Sequence, residues 1–197
     1  GHEEPWRQWH AATAGERMHH AWILSGRRGV GKAAFALQAA RELVGSPSMG
    51  DHPDILVLTH PPKDDKEAEK RAEGKPYETK RNIPVDEVRA MQRRLTTRPT
   101  LGDRRVVIVD PADDLEASAS NALLKSLEEP PQGTFFLLVA HRIGRLLPTI
   151  RSRCRVLHFP PVSDEAIDEI LRREAPEADS VTRSAAIAGK PAAARSA

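Results

Sequence analysis

The segment Ala21-Trp-Ile-Leu-Ser-Gly-Arg-Arg-Gly-Val-Gly-Lys32 decides the fold of this chain. It begins with a short apolar run that ends at Gly26, as expected of a buried strand. The residues after Lys32 are rich in alanine, leucine, arginine and glutamate, which predicts a helix over 33–44 that ends at Gly45. The turn between them matches the pattern G-x-x-x-x-G-K, and its setting between a strand and a helix is the one that a phosphate-binding P-loop requires.

The P-loop pattern predicts how phosphate groups would be held. Its glycines let backbone N–H groups wrap the phosphates, the helix N-terminus favours an anion, and Lys32 would reach the terminal phosphates. The following residue should be Ser or Thr, whose hydroxyl binds Mg²⁺, but it is Ala33. The pattern therefore predicts a phosphate loop that has lost one magnesium ligand.

A second part of the site follows the apolar run over 105–109. Asp110 closes this run, as the magnesium-side carboxylate of a Walker B strand would, but Pro111 stands where many hydrolases place a glutamate. Asp113 and Asp114 are weaker candidates for a catalytic base. Three interpretations stay open, namely a loop kept only for packing, ATP or ADP bound without hydrolysis, and competent hydrolysis. The candidate nucleotide-binding residues are Gly26, Gly29, Gly31, Lys32, Ala33 and Asp110.

The rest of the chain alternates between predicted strands and helices. Further strands are predicted over 54–59, 105–109, 135–140 and 155–159, and helices over 85–95, 118–129 and 146–151. The longer strand runs are apolar throughout, which is typical of strands buried on both faces of a parallel sheet. We therefore predict an α/β domain over 1–160 with a five-stranded parallel sheet flanked by helices. Predicted helices over 164–173 and 180–188 indicate a small helical lid over 161–197.

Residues 63–81 differ from both domains in composition. They alternate lysine, arginine, aspartate and glutamate with almost no apolar side chain, so we expect a mobile surface loop. A solvated insertion is the plainer interpretation, and a partner-binding insertion is the alternative.

Composition excludes several classes of protein. The longest apolar runs are about six residues, too short to span a membrane. No secretory signal opens the chain, and a single cysteine excludes a disulfide framework and fits a reducing cytoplasm. The net charge of +2 is too small to argue nucleic-acid binding by itself.

The stretch Arg151-Ser-Arg-Cys154 follows the short predicted helix. An arginine at a domain edge can point away from its own subunit and stabilise a phosphate that a neighbour holds. Its planar fork suits that task better than lysine does. From spacing alone, a surface arginine in a salt bridge is the plainer interpretation of Arg153.

Taken together, these residues resemble the bacterial clamp-loader branch of the AAA+ ATPases, from about His20 to Gly189. The stretch Ser120-Asn-Ala-Leu-Leu-Lys-Ser-Leu-Glu-Glu-Pro-Pro131 carries most of the resemblance. The other matching stretches are His19-His-Ala-Trp-Ile-Leu-Ser-Gly26, His52-Pro-Asp54, Ile83-Pro-Val-Asp-Glu87, Val109-Asp-Pro-Ala-Asp113 and Pro148-Thr-Ile-Arg-Ser-Arg-Cys154.

The resemblance implies a role that charge and spacing do not give. It implies that Arg153 of Ser-Arg-Cys is a finger acting in trans on ATP in an adjacent motor subunit. It also implies a stationary subunit that need not hydrolyse ATP, next to motor (gamma/tau) and delta subunits in a five-subunit arc. Such a complex opens a sliding clamp and places it on primed DNA, with no membrane involved. A C-terminal collar domain is expected beyond the end of this chain, which we take to be part of a longer protein.

The chain departs from the family pattern at three places. The cysteines that often bind zinc are absent between 45 and 50, so no zinc and no other bound metal is expected. The sensor 1 position falls near His141, and the sensor 2 position falls near 189–193, where no arginine stands and Arg195 comes too late. These departures favour a nucleotide site that works poorly.

Two other functions and one further contact are kept as hypotheses. The chain could be an autonomous AAA+ ATPase that binds and hydrolyses ATP at its own P-loop, or, more weakly, a small P-loop kinase. Five arginines are candidates for contact with DNA phosphates, although a solvated basic face is the plainer interpretation. They are Arg93, Arg94, Arg98, Arg104 and Arg105.

Overall fold

The computed structural model describes residues 2–15, 18–46 and 50–161. The strands of this part are β1 (Ala21–Ser25), β2 (Ile55–Leu58), β3 (Arg105–Val109), β4 (Thr134–Ala140) and β5 (Arg155–His158). Its α-helices are α1 (Glu3–Thr13), α2 (Lys32–Val44), α3 (Asp65–Ala72), α4 (Val85–Leu95), α5 (Ala117–Glu128) and α6 (Pro148–Arg151). The helices predicted over 164–173 and 180–188, and the sensor 2 position, lie outside the described residues.

The five strands form one sheet in the order β2-β3-β4-β1-β5, and every neighbouring pair is parallel. The predicted five-stranded parallel sheet is confirmed. In the register, Ser25 lies opposite Ala140 and Val109 lies opposite Leu138, so the carboxyl ends of β1, β3 and β4 meet at one edge. Loops after parallel strands gather at this edge, which is where open α/β sheets bind ligands.

Helices cover both faces of the sheet. Side chains of β3 alternate between two cores: Val107 and Val109 join the core beneath α4 and α5, whereas Val106 and Ile108 join the core beneath α1 and α2. All five residues of β3 are buried. Burial on both faces explains why this strand is apolar throughout instead of alternating.

Helix α1 precedes the first predicted element and covers one face of the sheet. Trp9 is completely buried, with its ring centroid 5.5 Å from that of Trp22 in an edge-on arrangement, and the ring of Trp6 lies 4.1 Å from that of Phe35. Edge-on and tilted aromatic pairs stabilise a packing beyond the area that they bury. The spacing of Trp6, Trp9 and Ala12 is the helical signal that could have predicted α1.

The charged segment over 63–81 is not the loop that its composition suggested. It contains α3, whose first turn is capped by Asp64, since the Asp64 carboxylate accepts a hydrogen bond of 3.0 Å from the Glu67 backbone N–H. An antiparallel bridge between Pro62 and Thr79 closes the segment. The composition predicted that this segment contributes no face to the hydrophobic core, and the segment is mostly exposed. The prediction of a loop was wrong because a capped helix on the surface can form without burying an apolar face.

Arg105 corrects one of the proposed DNA contacts. Its side chain is only 5% exposed, and its guanidinium donates to the carbonyl groups that end α4 and begin the next loop. The acceptors are the carbonyl oxygens of Arg94, Thr97 and Arg98, at 2.6, 3.0 and 2.8 Å. A guanidinium that is buried and held by carbonyl groups in this way cannot reach DNA. The other four arginines of the set are exposed and stay predictions.

Asp54 is the anionic partner of Arg105 in this buried cluster. Its carboxylate accepts from Arg105 at 3.4 Å and from the backbone N–H groups of Thr100 and Leu101 at 2.6 and 2.8 Å. Burial alone would raise the pKa of Asp54, but these hydrogen bonds outweigh it and hold the pKa below its usual value. The His52-Pro-Asp54 stretch therefore fastens the loop after α4 to the amino ends of β2 and β3.

No helix of the described ranges is both long enough and apolar enough to cross a lipid bilayer.

Candidate functional site

The P-loop connects β1 to α2 at the carboxyl edge of the sheet. Gly26 has no room for a side chain, because a Cβ atom there would lie 2.5 Å from the Phe159 carbonyl oxygen. Gly29 and Gly31 both have left-handed backbones, with φ of 84° and 90°. Glycine adopts this conformation without steric cost, so close packing explains Gly26 and backbone conformation explains Gly29 and Gly31.

Lys32 is folded into the loop that precedes it. Its exposed fraction is 2%, and its ammonium donates to the carbonyl oxygens of Gly26 and Arg27 at 2.7 and 2.6 Å. Burial lowers the pKa of Lys32, while the nearby carboxylates of Asp110 and Asp113 act in the opposite direction. An ammonium group has three N–H donors, so one donor is left over for a phosphate group in the cleft.

An open cleft of about 450 Å³ lies in front of the loop. The structure brings the loop and the end of β3 together here. Of the predicted residues, Gly29, Gly31, Lys32, Ala33 and Asp110 line the cleft, whereas Gly26 is not among its lining residues. Further lining residues that the sequence patterns did not single out for the site include Arg28, Thr59 and His60. Thr59 and His60 follow β2, so their place beside the β3 end could have been inferred from a parallel sheet.

The cleft presents nitrogen donors to an anion. The first backbone hydrogen bond of α2 runs from the Phe35 N–H to the Gly31 carbonyl at 3.0 Å, so the N–H groups of residues 32–34 precede it at the open end of the helix. These donors, together with Lys32 and the helix dipole, fit phosphate groups. They make the cleft a candidate phosphate site.

The same cleft offers few ligands to a magnesium ion. Ala33 presents a methyl group where a hydroxyl would bind the ion. Asp110 is the carboxylate that lines the cleft, and burial raises its pKa, against the opposing effect of His141, Lys32 and Arg28. The side chains therefore fit phosphate groups, but they do not fit the usual magnesium ligand set.

His141 directly follows β4, near where the resemblance implies the sensor 1 position, and it lines the cleft. Its Nδ1 atom is buried and finds no hydrogen-bond partner within residues 2–15, 18–46 and 50–161. Burial lowers the pKa of His141 and the charge of Lys32 lowers it further, whereas the carboxylates of Asp113 and Asp110 act in the opposite direction. In its neutral form a histidine at this position can donate or accept a hydrogen bond.

Asp113 and Asp114 are engaged by their own chain. The Asp113 carboxylate is buried and accepts from the backbone N–H groups of His141 and Arg142 at 2.9 and 3.2 Å. Asp114 pairs with His60 at 3.1 Å. Neither aspartate is among the residues that line the cleft. The contacts give both carboxylates structural partners, and neither is placed to activate a water molecule in the cleft.

Arg153 lies at the opposite edge of the sheet from the P-loop. It precedes β5, in which Arg155 is level with Trp22 and His158 is level with Ser25. Three residues of strand correspond to about 10 Å. The P-loop follows the carboxyl end of β1 and Arg153 precedes the amino end of β5, so the structure separates Arg153 from the other predicted site residues.

The guanidinium of Arg153 is held loosely on its own subunit. Its Nη1 donates to the Thr149 carbonyl at 2.9 Å, and its Nη2 lies 2.8 Å from a Glu128 carboxylate oxygen. The two paired side chains are 37% and 41% exposed. The plainer interpretation of the sequence, a surface arginine in a salt bridge, therefore describes the geometry of this subunit by itself. Glu128 is a partner that spacing could not reveal, since it comes from α5.

Cys154 follows Arg153 and packs against the core beneath α4 and α5. Burial raises the pKa of its thiol to about 12, so the thiol stays protonated and is no nucleophile at neutral pH.

Comparison with known proteins gives a family match and several relatives. Residues 1–163 match the model of the family described as DNA polymerase III, delta subunit. DNA polymerase III subunit delta' of Pseudomonas aeruginosa is 36% identical over 192 residues, covering 88% of this chain and 53% of that protein. The corresponding subunit of Escherichia coli K12 is 34% identical over 174 residues, covering 80% of this chain and 47% of that protein. The chain thus spans about half the length of these relatives.

Solved structures agree on the fold. A gamma subunit-related protein from Thermotoga maritima superposes with a TM-score of 0.64 at 24% identity, covering 94% of this chain and 58% of that one. A RuvB mutant from the same organism gives a TM-score of 0.61 at 20% identity, covering 90% of this chain and 51% of that one. At these identities the likeness shows the α/β fold with its parallel sheet and nothing finer.

Proposed function

Because this chain belongs to the DNA polymerase III delta subunit family, we propose that it is a delta-prime subunit of the DNA polymerase III clamp-loader complex. In this proposal the complex uses ATP in its motor subunits to open the sliding clamp and place it on primed DNA during replication in the cytoplasm. The partners are the motor (gamma/tau) and delta subunits of a five-subunit complex. Similarity to curated delta' subunits over most of the chain supports this assignment.

Within the complex, the proposed task of this subunit is to supply Arg153 to the ATP of the neighbouring motor subunit. The observation that carries this role is the place of Arg153, partly exposed at the edge of the sheet opposite its own cleft. A phosphate group held in the subunit's own cleft lies out of reach of this guanidinium, which supports an ATP held by the neighbouring subunit as its ligand. A guanidinium delivered in this way stabilises the charge that develops during phosphoryl transfer.

The subunit's own cleft is proposed to hold ATP or ADP without hydrolysing it. Buried Lys32 and the open end of α2 support phosphate binding. The methyl group of Ala33, the proline at 111 and the engagement of Asp113 by backbone N–H groups support the loss of turnover. On this proposal the chain is no enzyme alone and serves the DNA-directed nucleotidyl transfer of the polymerase III holoenzyme.

The alternative function is an autonomous ATPase. One observation favours it, namely that Lys32 and Asp110 line the same cleft, as they do in an active P-loop site. ATP turnover by the isolated full-length subunit, abolished by Lys32→Ala, would support the alternative and contradict a hydrolytically silent site.

The test of the trans role uses the full-length subunit reconstituted with its motor and delta partners. Arg153→Ala is expected to lower the DNA-stimulated ATP turnover that depends on this subunit by about three orders of magnitude, because a charge-stabilising arginine is lost. Arg151→Ala is the matched control, since Arg151 is an exposed arginine two positions away. Equal turnover with Arg153→Ala and with the wild type contradicts the proposal.

A further inference from the structure

Glu128 and Arg153 form a contact between two stretches that the trans role of Arg153 does not itself explain. Glu128 is the last residue of α5, and its carboxylate oxygen lies 2.8 Å from Arg153 Nη2. Thr149, in α6, holds the other end of the guanidinium through its carbonyl oxygen, 2.9 Å from Nη1. The side chain of Arg153 is thus held from two directions on its own subunit.

The atom that Glu128 holds is the important one for phosphate binding. A guanidinium offers two forked edges to an oxyanion, one formed by Nη1 and Nη2 and the other by Nε and Nη2. Both edges contain Nη2. An oxyanion that binds Arg153 through a fork therefore has to displace the Glu128 carboxylate or share the nitrogen with it.

The pair is weak enough to be displaced. Both side chains are more than a third exposed, at 37% and 41%. Pairs of this kind contribute little to stability because water screens the charges. A terminal phosphate carries more negative charge than a carboxylate and three acceptor oxygens, so it can outcompete Glu128 when it is presented at the right place.

We propose that Glu128 is a latch, a positioning residue whose carboxylate competes with the terminal phosphate of the neighbouring nucleotide for Arg153. The inference rests on the proposed trans role of Arg153 and adds a regulation to it. With a terminal phosphate in reach, Arg153 leaves Glu128 and binds the phosphate. With a diphosphate, which lacks that group, Arg153 stays on Glu128. The latch makes the response of the complex depend on the presence of the terminal phosphate.

The test compares Glu128→Gln with Glu129→Gln in the full-length subunit mixed with its motor partner. The measured quantity is the ATP turnover above that of the motor partner alone, as a function of ATP concentration. Glu129 is the matched control, because it is exposed, adjacent and chemically identical, and Arg153 pairs with Glu128 instead. Removing the competing charge is expected to lower KM for ATP about two- to fivefold. The maximal rate stays within twofold, because Arg153 is then freed equally for the ground state and the transition state.

A second measurement isolates the coupling between the two side chains. Binding of a fluorescent ATP analogue to the same mixture is titrated with Glu128→Gln, Arg153→Ala and the double variant. The latch predicts tighter binding with Glu128→Gln only when Arg153 is present, so the double variant binds like Arg153→Ala. An unchanged KM with Glu128→Gln, or the same shift in both backgrounds, overturns the latch.

The outcomes separate the two proposals. If Arg153→Ala leaves turnover unchanged, the trans role fails and the latch fails with it. If Arg153→Ala lowers turnover but Glu128→Gln leaves KM unchanged, the latch alone fails. A lower maximal rate with Glu128→Gln at an unchanged KM would show that the carboxylate orients Arg153 for the reaction, which contradicts competition.

Discussion

At the carboxyl edge of the sheet, Lys32 is 2% exposed and its ammonium is bound to carbonyl oxygens of its own loop. At the amino edge, Arg153 is 37% exposed and is held by a carboxylate that is itself exposed. Both are basic side chains beside a motif associated with phosphate. The buried cation at the carboxyl edge is therefore accessible only to a ligand inside its own cleft, whereas the partly exposed cation at the amino edge can be reached by another molecule that displaces its weak contacts.

A second arginine, Arg105, lies at the same amino edge of the sheet as Arg153. Arg105 is the first residue of β3, and its side chain is 5% exposed. It differs from Arg153 in its surroundings and not in its chemistry, since backbone carbonyl groups and the buried carboxylate of Asp54 surround it. The surroundings therefore decide whether an arginine at this edge supports the fold or faces a partner.

The largest effect on stability is expected from Arg105→Ala. The change leaves the Asp54 charge and several carbonyl groups buried without their partner, so we expect the free energy of unfolding to fall by about 3–5 kcal/mol. Arg153→Ala, at the same edge, is expected to change it by less than about 1 kcal/mol. Urea unfolding of the full-length protein measures both. A loss as large for Arg153→Ala as for Arg105→Ala would remove the distinction between the two arginines.

A smaller loss is expected from Gly26→Ala at the carboxyl edge. A methyl group at Gly26 meets the Phe159 carbonyl oxygen at 2.5 Å, so the backbone has to move, and we expect a loss of about 2–3 kcal/mol. Gly29→Ala, in the same loop, has open space around it and costs about 1 kcal/mol for its left-handed φ. Urea unfolding without nucleotide measures both changes. A larger loss of unfolding free energy for Gly29→Ala than for Gly26→Ala would show that packing against Phe159 does not shape this loop.

The smallest effect is expected from Ala33→Ser. The hydroxyl restores one magnesium ligand, so ATP should bind this variant up to about tenfold more tightly with Mg²⁺ than with EDTA, whereas the wild type shows no such difference. Calorimetric titration of the full-length subunit with ATP measures the difference, and Ala34→Ser is the control because residue 34 lines the same cleft. If the wild type also bound ATP more tightly with Mg²⁺ than with EDTA, the cleft would still provide the magnesium ligands of an active site.

The parts of the fold that follow from local sequence were predictable. The uninterrupted apolar run of β3 predicted a strand buried on both faces, and the glycine pattern predicted a loop between β1 and α2, as the structure shows. Parallel pairing then required the P-loop and Asp110 to lie at one edge. These predictions needed only the periodicity of the chain and the geometry of parallel strands.

The parts that depend on distant partners were not predictable in this way. The burial of Arg105 follows from carbonyl groups at the end of α4 and from Asp54, which is 51 positions away. The contact of Arg153 with Glu128 depends on how α5 lies beside α6. The helix α3 was missed for another reason, since a capped helix made of charged residues has no apolar period to reveal it.

The half-buried thiol of Cys154 has a practical consequence for fluorescence work. It is the single cysteine of the chain, and burial raises its pKa to about 12, so little of it is ionised at pH 7.5. Maleimide and iodoacetamide dyes attack the thiolate, so we expect them to react slowly at Cys154. A cysteine introduced at exposed Leu101 can therefore carry a dye with the native residue left in place.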